Sequence, residues 1–481
     1  MTNPTVTAQK KPSGFERIMN ASDWQIFLIC FSFPFLVAVF VQFIFLPYIA
    51  PAWNAGHGLL VGLDSVNYHQ MAVELAQKIH QQGWSAWTLH TEDSAHFGLM
   101  NITAAIYALT IPQPWVLIPL NAFLHGLSAF LLFKIFSRFV KRSWAIAGML
   151  PFLVFPSAAM WYTQILKDTY SIAGAFLIFA AWVDLIYLDQ TSGKGKQLLT
   201  VLKALLFSVV GSFLNWIVRP HNVLMLQALT ALVFAITLAT MLVLALKKQI
   251  KWTQAGFIAA MAVLVLLVMT PFTKIELSFN LLGLSRPQIA AAQSQPPGSE
   301  TAPAPTPDPG KRFTWYPSKL PGFIDNLAYE VADYRHQFTE WFPWQKSGMN
   351  LDTNFESVSD MLAFVPRALL NGFLAPFPAM WFGEGSLEAN TFMRRESAFE
   401  MIFCYLALLG LPYALWHWRK ERALWVLFIY CLGMITFYGL VVSNAGAIYR
   451  YRYGFYMPFV GLGIMGWLLL IVRFRKPKRT A

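Results

Sequence analysis

Charge is what this chain has least of. Only 12% of its 481 residues are Asp, Glu, Lys or Arg, where a soluble domain carries about 25%. That shortage excludes an ordinary water-soluble globule. Cysteine is scarce too. The three present, Cys30, Cys404 and Cys431, lie in apolar runs, which excludes a disulfide framework and any paired-cysteine metal spacing. No internal repeat stands out. Nor does a nucleotide-binding loop follow a strand. Gly461-Leu462-Gly463-Ile464-Met465-Gly466 matches the dinucleotide fingerprint by letter, but it lies inside an apolar run, where its glycines read as helix-packing positions.

What is present is hydrophobic. The chain is 56% hydrophobic and 16% aromatic, with a mean hydropathy of +0.48. The expected fold is an all-α polytopic membrane protein. The net charge of +12 does not point to nucleic acid, because the Lys and Arg lie between and beside hydrophobic runs, as topology signals do. A span needs about 20 apolar residues. About ten runs qualify: Trp24–Ile49, Trp115–Phe136, Trp144–Trp161, Thr169–Tyr187, Leu198–Val218, Val223–Leu246, Gly256–Phe272, Phe399–His417, Leu424–Val441 and Tyr456–Val472. The first is too long for a signal-peptide core and has no small-residue cleavage site, so it reads as a retained span.

Basic clusters orient the runs. Lys134, Arg138, Lys141 and Arg142 follow the second run; Lys194 and Lys196 follow the fourth. Lys247, Lys248 and Lys251, then Arg419, Lys420 and Arg422, then Arg473 to Arg479 mark further connections. All fall on one side if both termini are cytoplasmic, with a bacterial inner membrane as the expected location. Residues 1–23 form a cytoplasmic tail, and 24–272 a transmembrane region with a first outer loop at 50–114. A long outer loop covers 273–398, with a flexible linker at 286–311, and 399–481 returns to the membrane and ends in a basic tail. Phe97–Ile111 would break the pattern if it crossed, so it reads as interfacial or re-entrant. Trp315, Trp341, Trp344 and Trp381 suggest that the second loop folds against the membrane surface.

The acids and arginines near the expected outer face are the candidate chemistry. Asp64 precedes an amphipathic stretch in which Tyr68, Ala72, Leu75 and Ile79 recur at helical spacing. Asp64 or Ser65 serves as its N-cap, or Asp64 accepts a proton from an attacking hydroxyl; the two roles are compatible. Lys167-Asp168 sits at another outer boundary, where a structural ion pair, a helix cap, or a phosphate-binding lysine beside a positioning acid all fit. Tyr449-Arg450-Tyr451-Arg452-Tyr453 places two arginines outside, against the usual bias. They snorkel to headgroups or grip a phosphate with bidentate forks. Arg219 and His221 occupy a similar boundary, and Arg367 is a further candidate. His57, His69, His80, His90 and His96, with Glu92 and Asp93, crowd the first outer loop. A divalent metal ion would suit such donors, but no tight ligand spacing is present, and scattered interfacial histidines are the competing reading.

In these positions the chain resembles the GT-C superfamily, membrane glycosyltransferases that use polyprenyl-phosphate-linked sugars. The protein O-mannosyltransferases and aminoarabinose transferases have a similar layout. The matching pattern is Asp64…Tyr68…Ala72 after the first span, a re-entrant-like segment around His96–Leu109, Lys167-Asp168, and Arg450-Tyr451-Arg452 before the last span. Ser65 follows Asp64 where those families often carry a second acid. The resemblance implies that Asp64 is the base, with Asp168 a second catalytic acid. Lys167, Arg219, Arg450 and Arg452 would stabilise the departing lipid phosphate, His221 and Arg367 being further candidates for it. The acceptor would be a glycan, a lipid or a protein. Two other functions stay open: an O-antigen-type polymerase or ligase, and a lipid or solute transporter. Transporters place charges at mid-bilayer, often in repeated halves, whereas here the charges crowd one boundary.

Overall fold

The computed structural model describes residues 21–89, 98–188, 193–248, 252–273, 313–341, 346–385 and 387–475. The linker expected at 286–311, most of the N-terminal tail, Trp344, and the last basic residues from Lys476 lie outside them. A backbone in hydrocarbon has no water to bond, so an apolar chain crosses only if its amides pair internally. Helices meet that demand, and no strand occurs among the described residues. In order they are α1 (Asp23–Phe40, wound on as a π-helix to Ile49), α2 (Ser65–Gln82), α3 (Gly98–Leu109), α4 (Ile118–Phe136), α5 (Arg142–Val154), α6 (Pro156–Tyr162), α7 (Asp168–Ile186), α8 (Lys194–Val218), α9 (Pro220–Leu246) and α10 (Trp252–Met269). Then come α11 (Gly322–Trp341), α12 (Val358–Leu374), α13 (Glu388–Leu408), α14 (Leu411–His417), α15 (Arg422–Val441), α16 (Ala445–Tyr451) and α17 (Tyr453–Arg475).

Among the described residues eight helical segments are long and apolar enough to cross a bilayer, and the bent pair α5–α6 makes a ninth if it counts as one. Two of the ten runs read from hydropathy are not among the eight. Gly256–Phe272 is a shorter apolar helix among the described residues, the apolar part of α10 and of the turn that follows it to Phe272. Trp144–Trp161 is bent by 59°. Pro156 explains the bend: it lacks an N–H and pushes Phe155 out of the helical region, to φ −59°, ψ 129°. The short α3 reaches about 18 Å and packs its Ala104 and Tyr107 on Ala72 and Ala76 of α2.

At the centre lies α7, with all 19 residues buried. It packs on α4, α8 and α15. In lipid the hydrophobic effect does not drive helices together, so small residues that allow close approach must do so. A Cβ on Gly174 would lie 2.5 Å from the Gly211 carbonyl oxygen, and one on Gly211 would lie 2.5 Å from that of Gly174. Beside this crossing Ser171 donates to Asn215 Oδ1 at 2.8 Å. Near the C-terminus of α7, Asp184 pairs with Arg138 and with Lys203, the latter at 2.7 Å. Asp23 pairs at the same end with Lys134 at 2.7 Å and Arg142 at 2.6 Å. Asp168 begins α7 at the opposite end, about 24 Å away by helical rise.

A bulkier residue at the crossing meets backbone, which cannot rotate aside. Gly211→Val is expected to destabilise the protein by about 1–3 kcal/mol or more, read as a lower melting temperature in detergent. Gly195→Ala, where nothing lies within 4 Å, should leave it unchanged or slightly raised.

Candidate functional site

The loop before α2 is fastened by one buried side chain, Gln164, in the turn between α6 and α7. Its Oε1 accepts the Leu60 N–H at 2.9 Å and the Ser65 hydroxyl at 3.4 Å, and its Nε2 donates to Gly58 O at 3.3 Å. Asn121 of α4 donates to the Gln164 backbone carbonyl at 2.9 Å, and Gln42 donates to that of Thr163. Gly62, at φ +78°, makes the last turn before the helix, in a backbone region that favours glycine. The result sets Asp64, at the start of α2, beside Asp168, at the start of α7. The Asp64 side chain makes no capping bond and is 60% exposed.

Four elements then meet. Pro220 separates α8 from α9 and leaves Arg219 in the buried turn between them, 5% exposed. Arg219 Nη2 donates to Asp168 Oδ1 at 2.9 Å. From α16, Arg450 Nε lies 3.4 Å from Asp168 Oδ2, and its Nη2 lies 3.5 Å from Asp64 Oδ2. Arg450 thus bridges a buried carboxylate and an exposed one. Tyr451 lies under both guanidinium groups, with Arg219 Cζ 4.0 Å and Arg450 Cζ 5.1 Å from its ring centre. Lys167 Nζ sits 5.4 Å from the Tyr68 ring centre. Three cations and two carboxylates (+3 − 2) leave the cluster with one positive charge in excess.

Local charge sets the protonation. Burial works against the charge on Arg219 and Arg450. Asp168 leads the opposing groups at each and outweighs it, so both are held above their ordinary values. Lys167 is pulled down to about 8, by burial first and then by Arg219. Behind the cluster, Asn222 Nδ2 donates to Ser171 Oγ and to Tyr438 OH, each at 2.8 Å. This polar line supports the turn that holds Arg219.

Three of the candidates read from sequence are not brought here. Arg452 is fully buried; it donates to Gly372 O, approaches Met401 Sδ at 3.2 Å, and stacks 4.3 Å from the Tyr456 ring centre. With no carboxylate beside it, burial leaves its pKa below the ordinary value. The His221 ring packs on Tyr334 at 4.8 Å and Phe437 at 6.1 Å. Arg367 is exposed on α12, in no ion pair among the described residues. No group of three or more His, Cys, Asp or Glu among the described residues is placed to share a metal ion. His57 and His69 do pack together, with ring centres 5.2 Å apart and planes tilted by 47°; His90, Glu92, Asp93 and His96 lie outside the described residues. A cavity of about 270 Å³ lies elsewhere, lined by Phe313, Arg335, His336 and Phe355 among others. Sequence reasoning assigned no role to Gln164, whereas Tyr451, one of the rings flanking Arg450, is in place to hold it. A glutamine amid apolar residues, three positions before the Lys167-Asp168 pair, was the available signal for the first.

The long apolar helices and the buried charge cluster at their ends define the class: an all-α polytopic integral membrane protein. No protein-family model, curated protein or solved structure matches the chain.

Asp168→Asn strips the counter-charge from the buried Arg219 and the half-buried Arg450 and is expected to cost about 3–5 kcal/mol of stability. Adding Arg219→Met should recover part of that loss; a double variant no more stable than the single one would contradict the pairing. Lys167 gives a pH prediction. Below about 8 it is protonated folded and unfolded alike. Between that value and about 10.4 the unfolded chain binds more protons, so this lysine's contribution raises stability with pH. The rise should be missing from Lys167→Met when melting temperatures of both proteins are compared across that window.

Proposed function

We propose that this chain is a membrane glycosyltransferase, moving a sugar from a polyprenyl-phosphate donor to a hydroxyl of a glycan, lipid or protein acceptor. The observation that carries the reading is the Arg450 guanidinium set between buried Asp168 and exposed Asp64, in a cluster with a net positive charge at the ends of spanning helices. An anionic headgroup whose tail stays in lipid matches that placement. The basic connections at the other end of the bundle support an extracytoplasmic site with both termini cytoplasmic, in a bacterial inner membrane.

In the proposed reaction Asp64 accepts the proton of the acceptor hydroxyl. The hydroxyl oxygen bonds to the anomeric carbon as the carbon–oxygen bond to phosphate breaks. The bonding pair leaves with the phosphate, whose charge grows from one to two. Arg450, Arg219 and Lys167 attract that added charge more than the ground state, which is what lowers the barrier. Asp168 has both oxygens turned to guanidinium groups, so it positions Arg219 and Arg450 rather than accepting the proton. Charges at helix ends weigh against the transport reading, which expects them at mid-bilayer.

Turnover of a polyprenyl-phosphate sugar in proteoliposomes tests the reading. Asp64→Asn should lower it by about 10²–10⁴-fold, the range for loss of a general base, with melting little changed because the side chain caps nothing. Arg450→Lys keeps the charge but loses the fork, and kcat should fall more than KM rises. Near-normal turnover in both variants would sink the proposal. A product longer than one added sugar would favour the polymerase or ligase reading.

A further inference from the structure

Glu400 is a carboxylate on the spanning helix α13 that the proposed reaction does not use. It is 7% exposed, and no cation pairs with it among the described residues; nearby Arg452 is turned to Gly372 and Met401. Its two oxygens serve two different segments. Oε1 accepts the Ser157 N–H at 2.8 Å, just after the break between α5 and α6. Oε2 accepts the hydroxyl of Tyr449 in α16. The same hydroxyl lies 3.5 Å from Ser157 Oγ, and the Tyr449 ring meets Trp161 of α6 edge-on, with centroids 6.1 Å apart.

Both segments run straight into the charged cluster. From α6 the chain passes through Gln164 to Lys167 and Asp168. Tyr449 immediately precedes Arg450. Successive helical residues point about 100° apart, so a Tyr449 hydroxyl held against α13 turns Arg450 towards Asp64 and Asp168. A carboxylate suits this post because both charged oxygens accept; a glutamine has one neutral acceptor oxygen and can keep only one of the two accepted bonds.

We propose that Glu400 is a positioning residue. It ties the broken span to α16, and so sets the direction from which the Arg450 guanidinium meets the donor phosphate. The inference rests on the glycosyl-transfer reading above, and the test separates the two. Glu400→Gln, Tyr449→Phe and the double variant are placed in proteoliposomes with wild-type protein. Hydrogen exchange over residues 445–451 is measured beside kcat and KM for a polyprenyl-phosphate sugar. Each single variant should exchange faster in that segment and lose about 10- to 100-fold in kcat, as for a lost bond to a charged group, with KM little moved. The double variant should be no slower than the poorer single one. Faster exchange in a protein whose wild type transfers no sugar would remove the transfer reading and support the tie. Unchanged exchange in both single variants, losses that multiply in the double one, or a lower melting temperature with wild-type kcat would overturn the role of Glu400.

Discussion

The structure depends on the electrostatic closure of one buried helix. All of α7 is enclosed by its neighbours, yet it carries a carboxylate at each end. A charge taken from water costs several kcal/mol unless it is paired and hydrogen-bonded. Asp184 meets Arg138 and Lys203; Asp168 meets Arg219 and Arg450. These pairings dictate where α4, α8 and α16 end relative to α7. Asp168 also gains from the positive N-terminus of its own helix, whereas Asp184 sits at the unfavourable end and relies on its cations alone.

The two ends are not equivalent. At the Asp184 end both cations are more than 40% exposed, so water screens them and the pairs contribute little. At the Asp168 end Arg219 is buried and Arg450 only 15% exposed, and a well-packed apolar group would stabilise the fold at least as well. In the reading proposed above, a cluster there with an excess positive charge and an open flank at Asp64 serves binding rather than stability. Arg450 in α16 and Arg452 just past its end illustrate the division. The first faces two carboxylates and keeps its charge; the second, two positions on, bonds to backbone carbonyl and ring faces and holds helices together.

Much of this was legible in the sequence for definite reasons. Spans follow from runs of apolar residues, because hydrocarbon tolerates little else. The bend at Phe155 was not read, since Trp144–Trp161 counted as one span, although Pro156 acts on its neighbour whatever the fold. Asp64, Lys167, Asp168, Arg219 and Arg450 stood out because ionisable groups beside apolar runs are costly and need partners. Arg452 shared that signal and was drawn elsewhere, since residue type does not record which way a side chain at the end of α16 turns. Glu400 escaped notice because it lies inside a span, with partners 243 and 49 positions away.

By itself the sequence determined the class of protein, the placing of most helices and the short set of charged groups that had to find partners. Those are local properties, set by side-chain solubility and backbone chemistry within a few residues. Only the tertiary structure decided which partners they found. Asp64 and Arg450 are 386 positions apart in the chain, by their numbers, and meet because Gln164 anchors the first loop while Asp168 draws in α16. Such meetings depend on long-range packing geometry, and no window of sequence carries it.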